Sequence, residues 1–147
     1  MGHFSHTTES ESVTHIALIE DNDDLRAAIA ALLQSTGLHV ETYVCGEDFL
    51  LADPSPRPNC LITDLHLPGM SGLALLDKLD RRKNGLPAIL MSASTKFTDW
   101  DNPTPPGCIG FLSKPFDADE LFELVGKALH RTIRVHKAVL SAVQDKT

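Results

Sequence analysis

Short apolar runs alternate along the chain with longer stretches in which apolar residues recur every three or four positions. Five runs have the length of a strand: residues 15–19, 38–44, 60–64, 86–91 and 108–113. Helical spacing marks residues 25–33, 46–52, 75–79 and a last stretch that begins at Asp117. This alternation predicts an α/β fold, with a parallel sheet flanked by helices on both faces and right-handed crossovers.

Polar residues at the expected helix starts agree with this pattern. Asp23 or Asp24 can cap the first helix, and Ser71 can cap the third. Asp117 can cap the last helix, where Glu120 completes a pattern similar to a capping box. Each of the three helices therefore has a candidate N-cap at the position that the apolar spacing requires.

The segment between the fourth and fifth runs breaks the alternation. A helix is expected there, but residues 97–107 contain Pro103, Pro105 and Pro106. A proline inside a helix costs about 3 kcal/mol. We therefore expect at most one helical turn, so that the fourth helix of the fold is degraded or absent.

The last helix leaves two interpretations open. Apolar or small residues continue at spacings of four and three up to position 139, and no helix breaker interrupts them. One interpretation is an ordinary helix at the edge of the sheet, followed by a frayed tail. The other is a long helix that projects past the core and pairs with a partner, for instance as a homodimer.

Composition limits the class of protein. The chain has 147 residues, of which 42% are apolar, so it can form one folded domain with a single core. A net charge of −7 argues against a general nucleic-acid binder. No apolar run approaches the roughly 20 residues that span a bilayer. The three cysteines show no metal-binding spacing and are typical of reduced thiols in a cytoplasmic protein.

The same features predict the domain boundaries. Residues 1–14 are polar, lack the apolar core of a signal peptide and read as a flexible N-terminal arm. Residues 15–131 form the folded domain, and residues 132–147 form a helical extension or a tail. Too few residues follow the fifth strand for a DNA-reading module, so we expect a protein without an output domain.

Polar side chains stand at the ends of four of the five predicted strands: Glu20, Asp21, Asp64, Ser92 and Lys114. The first, third, fourth and fifth strands of a doubly wound sheet end at one edge, so these groups are expected to converge. A hard cation such as Mg²⁺ is the usual way to keep crowded carboxylates ionised. With a lysine and a hydroxyl nearby, such a site suits phosphoryl transfer to a carboxylate.

An ordered set of motifs carries a family resemblance: Glu20-Asp21, Asp64 within Thr-Asp-Leu-His-Leu-Pro-Gly-Met-Ser-Gly, Ser92-Ala93, and Lys114-Pro115-Phe116. From about residue 15 to about residue 130, the chain resembles the receiver domain of bacterial two-component response regulators, of the single-domain kind typical of chemotaxis regulators. The resemblance implies five parallel strands in the order 2-1-3-4-5. It also implies a magnesium-dependent phosphoprotein rather than an enzyme.

The resemblance assigns the acceptor and the metal ligands. Asp64 accepts a phosphoryl group from a histidine kinase or a histidine phosphotransfer protein. Asp21 binds Mg²⁺ directly and Glu20 binds it through water. The main-chain carbonyl of His66 supplies a further ligand.

Other positions correspond to the groups that respond to the phosphoryl group. Ser92 moves to bond it, Lys114 pairs with it through its ammonium group, and the Lys114–Pro115 peptide bond is cis. Phe111 occupies the aromatic switch position. His66 and Ser94 flank the site and either tune the lifetime of the phosphoryl group or are passive surface residues.

Three function classes are consistent with the sequence. The first is a receiver that acts by binding a downstream protein or by relaying its phosphoryl group. The second is a binding module that keeps the receiver fold but is independent of phosphorylation, which the unusual proline-rich segment suggests. The third is a small magnesium-dependent hydrolase. None of the three implies a nucleic acid or membrane partner.

Overall fold

Five parallel strands form the centre of the computed structural model, which describes residues 13–93 and 104–130. The strands are β1 (His15–Ile19), β2 (His39–Tyr43), β3 (Cys60–Asp64), β4 (Ala88–Ser92) and β5 (Cys108–Ser113). The helices are α1 (Asp23–Gln34), α2 (Gly46–Ala52), α3 (Gly72–Arg81) and α4 (Ala118–Leu129). The order across the sheet is β2-β1-β3-β4-β5, which confirms the predicted topology.

The central strands are buried because helices cover both faces of the sheet. Successive residues of a strand point to opposite faces, so Ile16 and Leu18 join the core under α1 and α4. Ala17 and Ile19 join the core under α2 and α3. All five residues of β3 and of β4 are buried, as expected for the interior strands of a parallel sheet.

The predicted caps of the third and last helices are confirmed. Ser71 Oγ accepts a hydrogen bond from the Ala74 N–H at 3.1 Å, and Asp117 Oδ1 accepts one from the Glu120 N–H at 2.8 Å. The predicted cap of α1 is wrong by one or two residues. Asn22 is the N-cap and accepts from the Leu25 N–H at 2.9 Å, whereas Asp23 and Asp24 lie in the first helical turn.

The last helix ends at Leu129. His130 adopts a left-handed conformation with φ of 55°, and its N–H donates to the main-chain carbonyls of the last turn. A left-handed residue ends an α-helix. The interpretation as one uninterrupted helix that continues through His130 is therefore wrong.

Several predictions lie on residues that the structure does not describe, namely 1–12, 94–103 and 131–147. They include most of the N-terminal arm, the C-terminal extension and most of the segment in which the fourth helix is expected to be lost. Residues 104–107 enter β5 through a turn, and Gly107 has a φ of 77°. Among the described helices, none has the length and apolarity needed to cross a membrane.

Candidate functional site

Three strands deliver charged residues to one edge of the sheet. Glu20 directly follows β1, Asp64 ends β3, and Lys114 directly follows β5. Parallel strands run in the same direction, so their carboxyl ends meet there. Glu20 is 1% exposed and Asp64 is 6% exposed, which is unusual for carboxylates and requires a compensating charge.

Lys114 supplies that charge to both carboxylates. Its Nζ lies 2.6 Å from Glu20 Oε1 and 2.7 Å from Asp64 Oδ2. The main-chain N–H of Lys114 donates to the Ser92 carbonyl at 2.7 Å, which fixes the end of β5 to the end of β4. The predicted cis bond between Lys114 and Pro115 is present.

Burial and mutual interaction shift the pKa values of Glu20 and Lys114. Burial raises the pKa of Glu20, and the negative charge of Asp64 adds to this effect. The hydrogen bonds from Lys114 and the Asn22 N–H oppose the rise without cancelling it. Burial lowers the pKa of Lys114, but its bonds to Asp64 and Glu20 outweigh burial and raise the pKa overall. Lys114 is therefore held in its charged form.

The acidic groups can also hold a cation. Glu20, Asp21 and Asp64 each offer a carboxylate oxygen, and these atoms lie within 4.8 Å of one another. Asp21 is exposed and completes the cluster on its solvent side. A set of oxygen donors open to water suits Mg²⁺, which prefers such ligands and retains bound water.

The loop after Asp64 is hydrogen-bonded to the Asp64 side chain. The main-chain N–H of His66 donates to Asp64 Oδ1 at 3.0 Å, and the Gly72 N–H donates to the Leu65 carbonyl at 2.9 Å. His66 is exposed beside the acidic cluster. The role of its carbonyl as a metal ligand stays a prediction.

Three further predicted positions are Ser92, Phe111 and Ser94. Ser92 is the last residue of β4 and is fully buried. The predicted fourth strand began two residues too early and ended one residue too early, before Ser92. Phe111 lies in β5, is half-buried and packs against the core under α2 and α3. Ser94 lies outside the described residues. The roles of Ser92, Phe111 and Ser94 stay predictions.

Sequence reasoning missed two residues that hold the loops of the site. Arg26 donates to the main-chain carbonyl of Glu20 at 2.9 Å and to Asp23 Oδ1 at 2.6 Å. The spacing of Asp23 and Arg26 could have indicated their pairing. Glu47 Oε2 accepts from the Met70 N–H at 3.0 Å. A contact across 23 residues has no local sequence signal.

Comparison with known proteins identifies the family to which the chain belongs. The family model for the response regulator receiver domain matches residues 16–126. The chain is 34% identical over 112 residues to the DNA-binding transcriptional regulator NtrC of Salmonella typhimurium, covering 76% of this chain and 24% of NtrC. It is 32% identical over 117 residues to the transcriptional regulatory protein FixJ of Azorhizobium caulinodans, covering 80% of this chain and 56% of FixJ. The chain thus spans between a quarter and about half of these relatives.

Solved structures agree with the fold. The response regulator TrrA of Thermotoga maritima, solved in complex with Mg(2+)-BeF, is 27% identical with a TM-score of 0.70, covering 80% of this chain and 100% of that one. The chemotaxis protein CheY4 of Vibrio cholerae is 22% identical with a TM-score of 0.72, covering 80% of this chain and 100% of that one. The CheY4 likeness bears on the fold alone.

Proposed function

The chain belongs to the response regulator receiver domain family, and from that premise we propose that Asp64 accepts a phosphoryl group from a histidine of a partner protein. The observation that carries the proposal is the position of Lys114, which contacts both Glu20 and Asp64 at 2.6 and 2.7 Å. The acceptor carboxylate therefore lies beside a fixed positive charge and beside two further carboxylates that can share a cation.

The transfer itself exchanges one bond for another. A carboxylate oxygen of Asp64 attacks the phosphorus atom in line, and the bond between phosphorus and the imidazole nitrogen of the donor breaks. The imidazole leaves with the electron pair and takes up a proton. Lys114 stabilises the negative charge on the phosphoryl oxygens, and the rigid end of β3 holds Asp64 in position.

Glu20, Asp21 and Asp64 are the side chains that would hold Mg²⁺, with the His66 carbonyl as a further ligand. Bound by these groups, Mg²⁺ would offset the negative charge that develops on the phosphoryl oxygens during transfer. After transfer, the Ser92 hydroxyl bonds the phosphoryl group and Phe111 moves with it. This biases an existing equilibrium between two conformations of the fold.

The proposed role is stoichiometric rather than enzymatic. The protein takes one phosphoryl group, loses it slowly by its own hydrolysis, and passes the signal on through a protein partner or a phosphorelay. Receiver domains generally interact with histidine kinases or phosphotransfer proteins. The description of NtrC as DNA-binding belongs to that protein, and the expectation that this chain acts without an output domain stays a prediction.

Phosphorylation by a small donor tests the proposal. Acetyl phosphate with Mg²⁺ is expected to add one phosphoryl group to the wild-type protein, as measured by intact-mass spectrometry. Asp64→Asn should abolish the mass gain because a neutral amide replaces the nucleophilic carboxylate, and chelation of Mg²⁺ should abolish it in the wild type. Asp80→Asn is the matched control, since Asp80 is an exposed carboxylate on α3.

Two results would contradict the proposal. A mass gain that persists in Asp64→Asn would show that another residue is the acceptor. A wild-type protein that gains no mass, and whose partner binding does not respond to a phosphate mimic, would favour the phosphorylation-independent binding module. Turnover of a phosphate ester beyond one equivalent would favour the hydrolase.

A further inference from the structure

The loop between the acceptor and α3, residues 65–71, is held from two directions. We call it the acceptor loop. At its near end, the His66 N–H is bonded to Asp64 Oδ1 at 3.0 Å. At its far end, the Met70 N–H is bonded to Glu47 Oε2 at 3.0 Å. Glu47 lies in the first turn of α2, an element that contributes no other group to the candidate site.

Close packing accompanies this second bond. Gly69 has a φ of 75°, and a Cβ atom there would lie 2.5 Å from Glu47 Oε2. A Cβ atom at Gly46 would lie 3.5 Å from the Met70 sulfur. The glycine at position 69 thus gives the loop its left-handed turn and leaves room for the carboxylate. The far end of the acceptor loop rests directly on the start of α2.

The hydrogen bond from the Met70 N–H to Glu47 joins a neutral donor to an ionised carboxylate. The main-chain N–H groups of Glu47 itself and of Met70 lower the pKa of the Glu47 carboxyl, so it carries its charge at neutral pH. Hydrogen bonds to an ionised acceptor are roughly twice as strong as those between neutral groups. Glu47 is therefore a strong restraint on the acceptor loop.

We propose that Glu47 is a positioning residue for the metal site: by holding Met70, it fixes the acceptor loop in the shape that keeps the His66 carbonyl available to a cation beside Asp64. Glu47 touches neither the cation nor the phosphoryl group and acts only through the loop. The inference rests on the proposed function, because it concerns the affinity of the same site for Mg²⁺.

A purely structural role makes a different prediction. If Glu47 only secures α2, its removal lowers the stability of the fold and leaves the affinity for Mg²⁺ unchanged. If Glu47 positions the loop, its removal frees the Met70 N–H and weakens Mg²⁺ binding in a protein that is still folded. Two measurements on one set of variants separate these roles.

The variants are Glu47→Ala and Glu47→Gln. The first removes the carboxylate that accepts the hydrogen bond from Met70, and the second keeps an oxygen that can accept this bond but removes the charge. Asp48→Ala is the matched control. Asp48 is an exposed acid in the same helical turn. Hydrogen exchange of the Met70 amide is followed by NMR, and the dissociation constant for Mg²⁺ is measured by calorimetry.

Loss of a charge-assisted bond should speed exchange of the Met70 amide about tenfold in Glu47→Ala and raise the dissociation constant for Mg²⁺ about fivefold. Glu47→Gln should fall between Glu47→Ala and the wild type in both measurements, because a neutral acceptor restores part of the bond. Asp48→Ala should stay within about twofold of the wild type, as expected for a surface change.

Faster exchange with an unchanged Mg²⁺ affinity would overturn the inference, and so would unchanged exchange in Glu47→Ala. If Glu47→Ala does not fold, the same comparison is made on Glu47→Gln. Failure of the proposed function looks different, because the wild type itself would then neither bind Mg²⁺ nor take a phosphoryl group.

Discussion

At the scale of single residues, the site depends on a balance between two buried carboxylates and one lysine. The side chains of Glu20 and Asp64 are 1% and 9% exposed, and Lys114 is 17% exposed while contacting both. Charges buried to this degree are tolerated only when they are paired. Lys114 therefore stabilises the fold in the absence of a cation, as well as serving the proposed transfer.

This balance predicts the effect of Lys114→Met. Removing one partner of a buried ion pair costs about 3–5 kcal/mol, and water at this edge reduces the cost, so the free energy of unfolding should fall by about 2–4 kcal/mol. The loss should shrink when Mg²⁺ is added, because a cation then neutralises the same carboxylates. Urea unfolding with and without Mg²⁺ measures both effects.

The matched control is Lys127→Met, at an exposed lysine on α4. If Lys114→Met were as stable as Lys127→Met without Mg²⁺, the proposed charge balance would be wrong.

At the scale of elements, two glycines set how closely neighbouring segments approach. A Cβ atom at Gly72, the first residue of α3, would lie 2.5 Å from the main-chain oxygen of Asp64 and 3.1 Å from Leu65 Cα. A Cβ atom at Gly110 in β5 would lie 2.5 Å from Leu124 Cδ2 on α4. The first neighbour is rigid backbone, whereas the second is the tip of a side chain that can change rotamer.

The difference predicts an order of destabilisation for matched substitutions. Gly72→Ala should lower the free energy of unfolding by about 2–3 kcal/mol, because overpacking against backbone cannot relax. Gly110→Ala should lower it by about 1 kcal/mol or less, because Leu124 can move. Chemical denaturation of both variants gives the comparison, and the reverse order would refute this account of the contacts.

At the scale of the whole molecule, burial on both faces of the sheet also controls ionisation. Burial raises the pKa of the Cys60 thiol to about 12, and it raises the pKa values of Cys108 and Tyr43. The pKa of Lys114 is raised as well, through its carboxylate partners. In each case the unfolded chain releases its proton at a lower pH than the folded protein does.

Because the pKa values of these four groups are all raised in the folded protein, we predict that it loses stability at alkaline pH. The stability contributed by each raised group is complete below its unfolded pKa and is lost as the pH rises through its folded pKa. For Cys60 this window runs from 9.0 to about 12. The free energy of unfolding should therefore fall steadily above pH 9, as measured by urea midpoints at increasing pH.

Replacing the buried thiol checks its share of the effect. Cys60→Ala should flatten the decline between pH 9 and pH 12 relative to the wild type, because the buried thiol with the raised pKa is removed. Equal slopes in Cys60→Ala and in the wild type would mean that the thiol of Cys60 does not contribute to the decline.

The sequence by itself determined the elements and their order. Apolar runs such as 60–64 have the length of buried strands, and their alternation with helical spacing leaves few ways to pack the chain. Capping residues such as Ser71 and Asp117 act within one turn, so local sequence was sufficient to find them. The convergence of Glu20, Asp64 and Lys114 followed from the common direction of parallel strands.

Only the tertiary structure decided how those groups are paired and restrained. The bridge from Lys114 to both carboxylates depends on atomic distances between three strands, and the bond from Glu47 to Met70 joins segments with no sequence relation. The apolar repeat also did not show that the last helix ends at Leu129, because a left-handed residue such as His130 need not interrupt the pattern of side chains. Periodicity records which face of an element is buried, whereas contacts between distant segments depend on how the faces meet.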